Sequence, residues 1–305
     1  GAILVLVSAP SFDPQVLAPN DPSSVRIEYE RLTTDPARPL LNRALERTYT
    51  PGSPFELVTA AAAIGTGRFT MDSVLPAPAR YTVPGSSVLI STDDGKPCSA
   101  TRRLTLGAAL SQGCATALAW LGNAIGADAI TNTAEQLGFS AAFSIPLRAS
   151  ASTNALEDVA ASAIGGSRVR TTVLQLALMG AAVANRGVAM RPYLVNDVRG
   201  PDLSVLERTT PSQLGSPMST AIAGALARAM QTAAQRQCTS CTLVNGVVHA
   251  LVNSATAQDT PSVVIAYSGH TAVAVVVERS SSGSADRSAA TKTAMAVLDA
   301  VQPTP

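Results

Sequence analysis

The run SPFELVTAAAAIG, residues 53–65, has no polar face. Ala, Val and Ile cover every side of the helix it forms, so that helix has to be buried on all sides. Glycine in the following GTGRF ends it, as helix C-termini prefer. The chain has the means to enclose such a helix: 305 residues, 46% of them apolar and only 14% charged. That length suits one large domain or two ordinary ones, and the composition is that of a core-rich globular protein.

The remaining pattern runs strand, long helical middle, strand meander, helix. Residues 2–8 read as a strand, and residues 10–42, rich in Pro, Asp and Arg, as an excursion with short helical pieces. Residues 70–100 read as extended segments and loops, with Pro76, Pro78 and Pro84 excluding a helix. The stretch 101–139 is strongly helical, with Thr105 as an N-cap. TTVLQLALMGAAVANRG is a further apolar helix closed by Gly187, and a helix at about 217–235 follows. GVVHALVNSATAQ, SVVIAYSGH and TAVAVVVERS are β-branched runs separated by polar turns, hence strands. DRSAATKTAMAVLDAV is a closing helix. This order predicts an α/β (α+β) domain over 1–305, in which an antiparallel sheet is packed by helices. The sheet part covers about 1–66 and 236–305, and an all-helical lobe, about 67–235, is inserted between its segments. The crevice between the two is the natural site.

Several function classes are excluded. A net charge of +1 and 4% aromatic residues offer neither the basic surface nor the stacking platforms of a nucleic-acid binder. The longest apolar runs are about half of what a membrane span needs. The only histidines, His249 and His270, have no metal-ligand spacing with the cysteines, so no metal and no cofactor is expected. Cys238 and Cys241 form a C-x-x-C in a polar segment, where a small structural disulfide and a reduced pair are both open readings. Gly1 runs directly into an apolar strand, from which an upstream region carrying an anchor is expected.

Pro51 and Gly52 deliver Ser53 to the mouth of the buried helix. A serine so placed is either a nucleophile or an N-cap. A nucleophile needs a base, and one turn later stands Glu56. The other reading of Glu56 is a cleft residue paired with Arg43, Arg47, Arg102 or Arg103. Asp93 and Asp94 read as turn residues, and His270 as a surface residue at a strand end.

Three blocks carry a family resemblance: LLNRALERTYTPGSPFELVTAAAAI, SAIGGSRVRTTVLQLALMGAAVANRGVAMRPYLV and GAILVLVSAPSFDP. In this order they resemble the transpeptidase domain of penicillin-binding proteins, class B, actinobacterial type. The resemblance spans nearly the whole chain and implies the penicillin-binding-protein transpeptidase, or serine β-lactamase-like, fold. It also implies three site motifs, S-x-x-K, S-x-N and K-T-G. In the family the first serine attacks a peptide carbonyl, the lysine takes its proton, the second serine and asparagine relay protons, and the K-T-G strand anchors the substrate carboxylate.

Carried onto this sequence, the nucleophile position is Ser53 and the lysine position is Glu56. The S-x-N position, set by the following TAL and AWLG, is Gly113-Cys114-Ala115. Sliding by two gives Ser111-Gln112-Gly113, which restores the serine and not the asparagine. The K-T-G position, set by Thr256-Ala257, is Asn253-Ser254-Ala255. Substrate-cleft positions are therefore Gly113, Ala115, Asn253, Ser254, Ala255 and Thr256. All three motifs depart from the family pattern, which points to a pseudoenzyme of cell-wall assembly or division, with protein partners and an extracytoplasmic, membrane-anchored setting. The rival expectations are an active D,D-transpeptidase acylated at Ser53, and a module that binds the peptidoglycan stem peptide without chemistry. The resemblance further implies a Cys98–Cys114 disulfide.

Overall fold

The structure, a computed structural model, describes residues 1–143, 145–155, 158–166, 168–237, 248–253, 261–278 and 287–301. Its helices are α1 (Pro22–Thr34), α2 (Glu56–Gly65), α3 (Leu106–Gln112), α4 (Ala115–Ile125), α5 (Ala127–Gln136), α6 (Val159–Ala163), α7 (Val173–Ala184), α8 (Thr220–Gln237) and α9 (Arg287–Val301).

Helix α2 is the centre of the molecule. Every residue from Glu56 to Ala63 is buried, and α3, α4, α5 and α8 pack around it. Its run of alanines allows this close approach from several sides, since no side chain beyond Cβ holds the neighbouring helices apart. The main core extends from α2 through Leu106, Leu118, Leu121 and Leu226 to the sheet residues Leu251, Val263 and Ile265.

Among the described residues the largest sheet has three antiparallel strands in sequence order, His249–Asn253, Ser262–Ser268 and Thr271–Val277, and the other strands form two-stranded pairs. All seven residues of the central strand are buried. Its alternate residues face opposite ways, as the pleat requires. Val263, Ile265 and Tyr267 join the main core, while Val264 and Ala266 join Ala290, Ala294 and Leu298 of α9 in a second cluster. Helix α7 packs on the second and third strands and α8 on the first. These two helices belong by sequence to the middle of the chain and lie against the sheet.

Residues 2–8 do not form the expected strand. They make a single bridge, Ala2 with Tyr193, and Leu4, Val5 and Val7 are exposed. A β-branched run becomes a strand only where a partner row of backbone groups lies beside it. The excursion at 10–42 contains a full three-turn helix, α1, longer than expected; Asp21 caps it by accepting from the amides of Ser23 and Ser24. Thr105 caps α3 through a bond from Ala108, as its position before an apolar run predicts.

Candidate active site

Ser53 opens a short 3₁₀ turn, Ser53–Phe55, that leads directly into α2. Gly52 before it has φ 61° and ψ −140°, a conformation open to glycine and costly for a residue with a Cβ. This turn decides the N-cap question. Phe55 occupies the N-cap position of α2, with no side-chain cap bond, so Ser53 lies two residues too early to cap the helix. Its hydroxyl instead lies beside the carboxyl of Glu56 and favours its ionised form.

Glu56 is 1% exposed. Burial pushes its carboxyl well above the usual carboxylate range, and the Ser53 hydroxyl opposes this to a smaller extent. Among the described residues its Oε2 meets no hydrogen-bond partner. The expected arginine partners are elsewhere: Arg43 and Arg47 both reach Glu278, at 3.8 and 3.1 Å, and no described cation pairs with Glu56. The same Glu278 accepts from Tyr49 Oη at 2.5 Å. This cluster ties the end of the third sheet strand to the chain that enters the Ser53 loop. It went unread in the sequence because its members are 229 or more residues apart.

The second candidate triplet meets Ser53 in space. Helix α3 ends at Gly113 in the left-handed region, φ 68°. A Cβ built there would stand 3.8 Å from Ser53 Oγ, so position 113 faces the Ser53 hydroxyl. Cys114 follows, 2% exposed, and is bonded to Cys98 with S–S 2.02 Å. This is the pairing that the resemblance implied. Ala115 begins α4. Ser111, the serine of the shifted triplet, is buried and donates to the Ala108 carbonyl at 3.2 Å, within its own helix.

The third triplet lies on the first sheet strand, which packs against the Ser53–Phe55 turn. Asn253 ends that strand, opposite Val263. Ser254, Ala255, Thr256, Cys238 and Cys241 lie outside the described residues.

One contributor escaped the sequence reading. The Gly165 carbonyl accepts from the Gly52 amide at 3.0 Å, and a Cβ on Gly165 would fall 2.2 Å from the Gly52 oxygen. The paired glycines in SAIGGSRV are the signal, since such a pair marks a place where backbones meet.

The arrangement is a serine on a glycine-shaped turn, a buried carboxyl beneath it, a left-handed glycine beside it and a sheet strand along it. Comparison with known proteins agrees with that layout. The family model described as the penicillin-binding protein transpeptidase domain matches residues 1–259. The chain is 39% identical to peptidoglycan D,D-transpeptidase PbpA of Mycolicibacterium smegmatis over 240 residues, 77% of this chain and 49% of that protein. It is 37% identical to PbpA of Mycobacterium tuberculosis over 235 residues, 75% of this chain and 48% of the relative. It thus spans about half the length of the curated relatives it matches. The structure of penicillin-binding protein A from M. tuberculosis as its penicillin G acyl-enzyme superposes with a TM-score of 0.85 at 32% identity, covering 97% of this chain and 71% of that one. With the family model covering most of its residues, this chain belongs to the penicillin-binding protein transpeptidase domain family.

Proposed function

We propose that this domain is a catalytically degenerate transpeptidase, a pseudoenzyme that acts by binding other proteins of peptidoglycan assembly or division. The whole protein holds it on the outer face of the plasma membrane, in the compartment where a peptidoglycan transpeptidase works.

The observation that carries this reading is the environment of Glu56. Attack by Ser53 needs a group that takes its proton and tolerates the alkoxide. Burial favours the neutral carboxyl, and a neutral carboxyl takes no proton from a serine. When ionised, Glu56 adds negative charge beside a developing oxyanion. Unit charges ~4 Å apart at an effective dielectric of ~20 interact by ~4 kcal/mol, about a thousandfold in rate. No described cation pairs with Glu56 to offset this charge. Gly113 and Ala115 add no hydroxyl or amide side chain for a proton relay.

The placement of the Ser53 hydroxyl beside Glu56 favours one rival: a serine acylated with Glu56 as its base, in the manner of carboxyls tuned by burial. Labelling with a fluorescent penicillin separates the two. The pseudoenzyme gives no covalent band in the wild type. A band that disappears in Ser53→Ala overturns the proposal.

A further inference from the structure

Glu56 carries a hydrogen-bonding group that nothing in the fold answers. The residue is buried, and among the described residues its Oε2 has no partner. A buried carboxyl oxygen without a donor is costly, so it marks a place that another molecule completes. The Ser53 hydroxyl lies beside the same carboxyl, and Ser53 itself is only half-buried. Two acceptors thus stand together at the floor of the cleft. The space above them is open on one side: a Cβ built on Gly113 would meet only Ser53 Oγ within 4 Å.

The surroundings favour a positive charge. Helix α3 ends at Gly113, so its carbonyl end, the negative pole of a helix, lies beside Ser53. Glu56 is the first residue of α2, where the positive pole of that helix supports a carboxylate. No described cation meets this carboxylate, and the chain holds only two lysines. Lys96 stands in an exposed turn and Lys292 on α9, which packs on the second and third sheet strands. The charge therefore comes from another molecule. A primary ammonium fits, being a compact charge with three donors on a slim aliphatic stem, and Gly113 and Ala115 put nothing larger than a methyl beside that stem. A guanidinium fits less well, because its planar fork wants both oxygens of a carboxylate, whereas only Oε2 of Glu56 stands buried and unpartnered. We propose that the cleft holds a lysine side chain of a partner protein, with its ammonium seated between Glu56 Oε2 and Ser53 Oγ. This names the partner chemistry of the pseudoenzyme and rests on that reading, since a cleft that does not react is free to hold a partner's side chain.

The test is an amide NMR titration of the isotope-labelled domain with lysine blocked at both ends, N-acetyl-lysine N-methylamide. Saturable shifts are expected at Gly52, Ser53 and Gly113. The same probe acetylated at Nζ keeps the stem and loses the charge, and should bind about tenfold or more weakly. The matching arginine probe should bind about tenfold more weakly than lysine. Glu56→Gln keeps the shape and removes the charge, and its affinity for the lysine probe should fall about tenfold or more. Absence of shifts at these amides, equal affinity for the acetylated probe, or undiminished binding by Glu56→Gln overturns the site. Equal affinity for the arginine probe overturns the assignment to lysine. Ser53→Ala cannot be acylated and keeps Glu56, so it should still bind the lysine probe, within about tenfold of the wild type. Penicillin labelling of the wild type tests the pseudoenzyme reading and the titration of Ser53→Ala tests the lysine site, so failure of one is told apart from failure of the other.

Discussion

Gly52 and Gly165 meet backbone to backbone: the amide of the first donates to the carbonyl of the second at 3.0 Å, with no space for a side chain between them. Gly165 also holds φ +68°, where a Cβ is strained even in open space. Gly165→Ala should therefore destabilise the domain by about 2–4 kcal/mol, combining strain and overpacking. Gly67→Ala is the matched control. It holds φ +72° with nothing within 4 Å and should cost about 1–2 kcal/mol. Urea unfolding of the two variants checks the difference.

Glu56 gives the stability a definite pH dependence. Its folded-state pKa lies above the value in the unfolded chain. Its contribution is therefore complete at acid pH, below the unfolded value, and is lost as pH rises through the folded one. Glu56→Gln keeps the shape and removes the titration. The stability difference between variant and wild type should move in favour of the variant between pH 5 and pH 8. Paired urea midpoints across that range measure it; a constant difference counts against a buried, unpaired carboxyl.

The Cys98–Cys114 bond spans a sequence separation of 16 and fixes the start of α4 beside Ser53. The chain-entropy relation gives about 3 kcal/mol for a loop of this length. Cys98→Ser should lower unfolding stability by that amount, and a reductant should bring the wild type toward the variant.

Much of the fold was legible because its strongest signals are local. The apolar run 53–65 had to be buried on every face, and α2 is buried from Glu56 to Ala63. The three β-branched runs after residue 245 contain the three sheet strands, since alternation and turn residues sit within each run. The 2–8 run failed because strand formation depends on a partner that periodicity does not report. At the site, residue types were readable and contacts were not. Ser53 and Glu56 are three residues apart, yet only the 3₁₀ turn shows that the serine lies beside the carboxyl and does not cap the helix. The Gly52–Gly165 contact joins residues 113 positions apart, which no local pattern encodes.

Restoring one residue should not restore chemistry. Glu56→Lys returns a base beneath Ser53, yet positions 113 and 115 remain Gly and Ala, without a hydroxyl or amide to relay protons. The variant should stay unlabelled by fluorescent penicillin over hours. Rapid labelling would show that the Glu56 position alone controls the site.

The central claim is that Ser53 does not form an acyl-enzyme. Intact-protein mass spectrometry after prolonged incubation with penicillin G reads this directly. The account predicts a single species at the unmodified mass. A stoichiometric mass increase of one penicillin, located on the peptide containing Ser53 and absent from Ser53→Ala, would contradict it.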